Sequence, residues 1–340
     1  MCSRLAPDVP QLVTELVGNL EALAMNDEAA RILRESELAD QDSMCRYLLA
    51  FNGLMSGDLE EPRHLLGALR SSDEPDMQAM VSAVAGMLAR ADALQGARAL
   101  DRQDLTGWHM VVNGAVLLHE SPFGFDEGMS GRYAYVSDNY GLIREGIERL
   151  RIVLESAGRT PERVLAGPDR SSQIVAEAVS QVLSLPLEPW AAEASGLVVV
   201  YDLDQVGEIE ILRGLEAHRA GQVLWAHASS WTNPFPYAAD ITTMLYQACF
   251  SPWSGDGMQL NPETGEAEPR PVDEAPVEEI AARIVAAEVS DSSHSSDDGL
   301  RAMVAAIATL EEECAAGLFR TTGRRTLQRS GSPVKSSRFY

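Results

Sequence analysis

Two short polar turns hold the residue types best suited to chemistry. Asp169-Arg170-Ser171-Ser172 supplies a carboxylate, a guanidinium and two hydroxyls in consecutive positions. At the start of a helix such a run can meet an anion through its side chains and through backbone N–H groups that have no helical partner. Asp202, Asp204 and Gly207 form the second turn. Carboxylates at that spacing can hold a divalent cation such as Mg2+, or the hydroxyls of a ribose. A plainer reading stands beside both. Asp and Ser are the favoured helix caps, so Asp169, Ser171 or Ser172 can simply cap one helix and Asp204 another.

The elements around these turns decide where they lie. Arg163 to Pro168 is an apolar block before the first turn, and Gly196 to Tyr201 is one before the second. A third block, Gln222 to Ala228, follows. Between them Ile174 to Leu183, and a stretch ending near Ala220, have helical periodicity. Short apolar runs closed by Gly, Pro or Asp and separated by helices are the pattern of parallel strands buried on both faces. In such a sheet ligands bind beyond the carboxyl ends of the strands, where both polar turns fall.

These residues resemble a known family. Val164-Leu-Ala-Gly-Pro-Asp-Arg-Ser-Ser172 with Ala176 to Pro186, followed by Leu197-Val-Val-Val-Tyr-Asp-Leu-Asp-Gln-Val-Gly207, is similar to the type I phosphoribosyltransferase fold over roughly residues 158–231. The resemblance implies that the first loop contacts pyrophosphate. It also implies that the second holds the ribose and 5′-phosphate of phosphoribosyl pyrophosphate, with Mg2+ near Asp202 and Asp204. The chain departs from the family at the same place. Its acids are split as Asp202-Leu203-Asp204, and Glu208 stands where a phosphate dianion would sit, a like charge that weakens binding. Only Pro189 to Ser195 remain for the flexible loop that closes such sites. The expectation is a degenerate, non-catalytic scaffold or nucleotide-sensing module that acts through a protein partner. The alternative is an active transferase or phosphohydrolase on a phosphorylated sugar or nucleotide, using Mg2+.

The rest of the chain divides by composition. Residues 1–104 read as stacked α-helical hairpins and 105–258 as the α/β unit. Residues 259–276 read as an acidic, Pro-rich linker, 277–318 as two closing helices and 319–340 as a disordered basic tail. Trp108 to Leu118 is expected as a strand, or as a strand with a kink at Asn113-Gly114, and Ala238 to Phe250 as a helix. The loop Ser121 to Tyr133, rich in Gly and aromatics, is expected to be ordered. The fold class is therefore α/β, a short, mostly parallel sheet flanked by helices, with an all-α N-terminal part.

Charge narrows the partners. With 51 acidic against 27 basic residues the formal net charge is −24, and such a body repels nucleic-acid backbones and anionic lipid. The first ten residues lack signal-peptide patterning and no apolar run is long enough to span a bilayer, which makes the cytoplasm the expected compartment. Cys2, Cys45, Cys249 and Cys314 lack metal or redox spacing and read as idle thiols. His109, His119 and His294 read as structural or solvated residues. No nucleotide-loop or nucleophile-elbow motif occurs, and the only lysine is Lys335.

Overall fold

A computed structural model describes residues 9–70, 75–123, 128–233, 235–290, 293, 295–329 and 331–338. Cys2, His294 and residues 124–127 of the Ser121–Tyr133 loop lie outside them. The chain begins with helices α1 (Pro10–Ala22), α2 (Asn26–Ser36), α3 (Ser43–Met55), α4 (Glu60–Leu69), α5 (Pro75–Leu94) and α6 (Leu105–Asn113). Then come β1 (Val116–Leu117), β2 (Tyr133–Ser137), α7 (Tyr140–Ser156), β3 (Val164–Ala166), α8 (Arg170–Leu183), β4 (Leu187–Pro189), β5 (Gly196–Asp202) and α9 (Ile209–Leu215). The last elements are β6 (Gln222–Ser230), β7 (Ile241–Phe250), β8 (Met258–Leu260), β9 (Ala267–Pro269), α10 (Val277–Ala286) and α11 (Asp297–Ile307).

Seven strands form one parallel sheet in the order β1-β7-β6-β5-β3-β4, with β2 also on β7. β1 lies against the start of β7, Val116 opposite Ile241, and β2 against its end, Tyr133 opposite Tyr246. β4 lies outside β3 while β5 lies on its other side, so the winding reverses between β3 and β5. That reversal opens a crevice at the carboxyl ends of both strands.

Both faces of the sheet are apolar, which is why its strands read as continuous hydrophobic runs. Leu197, Val199 and Tyr201 of β5 join Val164, Val223, Trp225 and Ile241 in a core that includes residues of α7, α8, α10 and α11. This core continues into α3, α4 and α5 through Leu54, Leu66 and Met87. Val198 and Val200 point the other way, with Leu165, Leu224 and Ala226, onto Leu203, Leu215, Tyr237 and Ala239. The outermost helices α1 and α2 close a smaller core of their own with the start of α3. No described helix is long and apolar enough to cross a membrane.

Several expectations from the sequence are corrected. Trp108 to Leu118 is not one strand. Asp104 caps α6 by accepting from the Gly107 N–H at 2.9 Å, and Gly114, at φ 62°, closes it. All nine residues of α6 are buried, and a helix buried all round has no polar face to betray its period. Ala238 to Phe250 is not a helix. Ile241 to Phe250 is the strand between β6 and the β1/β2 pair, and its Thr242, Thr243 and Tyr246 are strand-favouring residues. The supposed linker 259–276 contains most of an antiparallel hairpin, with Met258 opposite Pro269 and Leu260 opposite Ala267. The second closing helix stops at Ile307, short of the expected end of the pair at residue 318.

The basic tail is the largest correction. Its described residues do not form a disordered terminus: Arg324 to Gln328 dock onto the second face of the sheet, and Val334 joins the core of the first. Arg324 bridges to Ala217 and Gln328 to Phe235, and the Ala238 N–H donates to the Thr326 carbonyl at 2.8 Å. Arg325 drives the docking. Its guanidinium donates to both carboxylate oxygens of Asp240, at 3.1 and 3.0 Å, and to the Leu215 and Ala217 carbonyls. Arg325 and Asp240 are both buried. Burial opposes the charge on Asp240, but Arg325, His218 and the Leu224 N–H hold its carboxyl below the usual carboxylate range. Composition signals disorder only when a basic segment lacks such a partner.

Replacing Arg325 with Ala strands a buried carboxylate and is expected to cost about 3–5 kcal/mol, read as a lower urea midpoint at pH 7. A lowered folded pKa contributes stability above the unfolded value and loses it as pH falls through the folded one. In the variant burial raises the unpaired Asp240 instead, so the gap between wild type and variant should begin to narrow above the unfolded value of about 3.9 and go on narrowing as pH falls through it. An unchanged midpoint at pH 7 would show that the tail does not hold the face closed.

Candidate functional site

The crevice between β3 and β5 brings the two sequence-predicted turns together and consumes most of their polar groups internally. Asp169 caps α8, accepting from the Ser172 N–H at 2.8 Å and from the Ser172 hydroxyl at 2.5 Å. That hydroxyl in turn accepts from the Tyr201 N–H at 2.9 Å, tying the helix start to β5. Ser171 Oγ accepts from the Trp253 indole at 2.9 Å. Arg170 reaches away from the crevice and donates to the Asp273 and Ala275 carbonyls, both at 2.8 Å. Gly167 makes this closeness workable, since a Cβ there would lie 2.9 Å from the Ser172 Cβ and 3.0 Å from Val200.

The second turn is occupied in the same way. Asp202 is buried at the end of β5 and accepts from the Tyr246 hydroxyl, from the Asp204 N–H at 3.0 Å and from Gln205 Nε2 at 3.2 Å. Burial pushes its carboxyl up to about 7, and neighbouring Asp204 adds to the rise, against the opposing hydrogen bonds. Asp204 itself stands at the surface. Gly207, at φ 72°, makes the turn into α9 in a conformation that disfavours any side chain. Among the described residues no group of three or more His, Cys, Asp or Glu is arranged to hold a metal ion.

A groove of about 390 Å3 opens beside the crevice, over the ends of β3 and β4. It is lined by Gly167, Pro168, Trp190 and Ile211 and by the carboxylates Glu177, Glu188 and Glu278. Those acids oppose a phosphate. The pyrophosphate loop of the resemblance therefore borders a space of the wrong charge.

Comparison of the chain with family models, curated proteins and solved structures finds no match.

The sequence gives no sign of a buried polar network under the carboxyl ends of β2, β5, β6 and β7. Asp138, just past β2, accepts from the Tyr201 hydroxyl at 2.8 Å and bonds His227 Nε2 at 3.1 Å. Cys249 Sγ lies 3.5 Å from the same hydroxyl. His227 Nδ1 has no partner among the described residues and faces α7 at Gly146, where a Cβ would sit 3.3 Å from it and 2.8 Å from Thr243 Oγ1. A second chain of contacts joins His119 to Glu145 at 3.0 Å and to the Tyr133 hydroxyl at 2.8 Å. Arg149 also meets Glu145, at 3.3 Å. His119 is thus the interior, bonded histidine that the sequence suggests.

A Cys, a His and an Asp in one cluster invite a nucleophile reading, and the geometry opposes it. A reactive thiolate needs a base to take its proton or a positive neighbour to stabilise it. The Cys249 thiol instead meets Tyr201, and burial together with Asp138 pushes it far up. Tyr201 is likewise raised, by burial first and Asp138 next. The cluster pins strand ends and stores no nucleophile.

Two outcomes are expected. Asp202, protonated more readily folded than unfolded, contributes stability that is full at low pH and is lost as pH rises from about 4 to about 7. Asp202→Asn keeps an acceptor for Tyr246 and removes that loss, so it should stabilise the chain at pH 8 by up to about 4 kcal/mol. A variant less stable than wild type at pH 8 would mean that the carboxylate is wanted in its charged form. In the folded protein Cys249 should resist iodoacetamide at pH 8, and mass spectrometry of a digest would reveal prompt alkylation if the thiol were activated.

Proposed function

We propose that this chain is a non-catalytic scaffold of phosphoribosyltransferase-like design that works by binding a protein partner rather than by turnover. One observation carries the reading. In the Asp169–Ser172 loop, Asp169 and the two hydroxyls already have partners, and the Arg170 guanidinium is turned onto the segment around Asp273. A pyrophosphate would have to break these contacts, and each buried group it orphaned would cost about 1–3 kcal/mol. Asp202 argues the same way, because its carboxyl already accepts from the Tyr246 hydroxyl, the Asp204 N–H and Gln205.

The hairpin β8–β9 supports the partner half of the reading. Met258, Leu260, Ala267 and Pro269 are exposed on one of its faces. Glu263 and Glu266 are exposed in the connection between its two strands. An apolar strip with an acidic connection, on a body of net charge −24, suits a basic protein surface.

Thermal-shift titration with phosphoribosyl pyrophosphate and Mg2+ tests the reading. Wild type and the Asp202→Asn, Asp204→Asn double variant should behave alike, with no shift that depends on the two acids. An active site holding its substrate at a hundred times Kd would add about 2.7 kcal/mol. A wild-type shift that the double variant loses would overturn the scaffold in favour of a Mg2+-dependent transferase or phosphohydrolase.

A further inference from the structure

Two of the four buried arginines among the described residues have a carboxylate: Arg325 has Asp240, and Arg149 has Glu145 and Asp297. Arg90 spends its guanidinium on the Val111 and Cys314 carbonyls. Arg132 has no carboxylate either. Its side chain is buried at 5% exposure, yet among the described residues no acid lies within ion-pair distance. Its Nη1 donates to the Val334 carbonyl at 2.9 Å and to Ser336 Oγ at 2.6 Å, both neutral, and its Nε has no partner among the described residues. Burial pulls its pKa down to about 10, which leaves the guanidinium charged at neutral pH. Buried Glu120 acts on it only from beyond ion-pair distance, and a buried charge without an ion pair is a feature that a ligand can explain.

The surroundings have the same sign. Arg132 lies over the Trp231 ring at 5.5 Å and Arg338 lies over that ring at 5.9 Å. Both arginines, Trp231, Ser332, Ser336 and Lys335 line a groove of about 280 Å3 that has no acidic residue in its wall among the described residues. Lys335 is tied to Asp27, whereas Arg338 makes no ion pair among the described residues. Behind the groove a cavity of about 20 Å3, room for one water, shares Arg132, Trp231, Gly331 and Ser332. That cavity adds Arg329, which has no acid within ion-pair distance among the described residues, and His109, whose Nε2 is buried and unpartnered.

We propose that the groove between Arg132, Trp231, Ser332 and Arg338 binds a small phosphate-bearing metabolite, the two guanidiniums taking its oxyanion. Arginine forks match phosphate oxygens, and a charge-assisted bond to a desolvated guanidinium is among the stronger polar contacts. The volume limits the remainder of the ligand to about a pentose, since sites for larger ligands run to several hundred Å3. The site stands apart from the β3 and β5 turns, so it does not depend on the scaffold reading.

Isothermal titration of the full chain with inorganic phosphate, pyrophosphate and ribose 5-phosphate, in chloride buffer of fixed ionic strength, is the test. Saturable one-site binding is expected, weakened about tenfold by Arg338→Ala and kept by the Asp202→Asn, Asp204→Asn variant. Arg338 is only partly buried, so its variant should fold, which circular dichroism verifies. Arg132→Lys keeps the charge, loses the fork and should bind more weakly than wild type. No heat with any of the three probes overturns the proposal, as does unchanged affinity in folded Arg338→Ala. Binding that the Asp202 and Asp204 variant loses while Arg338→Ala keeps it places the oxyanion at the strand ends. That result overturns this site and the scaffold reading together.

Discussion

Asp240 is the point on which the sheet's second face depends. Its carboxylate sits just ahead of β7, accepts the Leu224 N–H of β6 at 2.8 Å and takes the fork of Arg325. One buried acid thereby joins two neighbouring strands and the tail that covers them. A buried ion pair adds little stability compared with well-packed apolar groups, but it fixes which group must sit where. Here it selects the one docking of a polar, flexible-looking segment that neutralises the charge. The neighbouring elements α9 and Tyr237 then complete the layer, with the Tyr237 hydroxyl donating to the Leu212 carbonyl at 2.8 Å.

The strand-end crevice follows a related logic. Residues with the look of a ligand site serve as the fastening between β3, α8 and β5. Ser172 both donates to its cap and accepts from Tyr201, and Trp253 reaches in from the segment after β7 to Ser171. Polar groups that cannot reach water must find partners. The partners here come from the chain itself, so the crevice is closed by hydrogen bonding as much as by bulk.

Legibility in the sequence followed locality. β3, β5 and β6 were readable because each is an apolar block ended by turn residues, and the two polar turns were rightly placed beyond β3 and β5. The capping role of Asp169 was also readable, since it depends only on Ser172 three residues on. The two-residue β1 and the three-residue β4 were not readable, because so few residues carry no period. α6 and β7 were exchanged in type because burial on every side removes the polar face that distinguishes helix from strand. The Asp138–His227–Tyr201–Cys249 network was invisible. Its bonded pairs lie as far as 89 residues apart and meet only through the sheet. Arg132 gave no sign either, since an arginine without an acid partner is known only once every neighbour is placed.

The docking of the tail also sets an order of events during synthesis. Arg325 lies 85 residues after the carboxylate that it neutralises. At about 5–20 residues per second, Asp240 is made roughly 4–17 s before its partner exists. Through that interval the second face of the sheet, with Leu224, Ala226 and Val200, has only its local cover. A nascent chain paused there would present apolar strand surface and an unpaired acid together, a state for chaperones to shield.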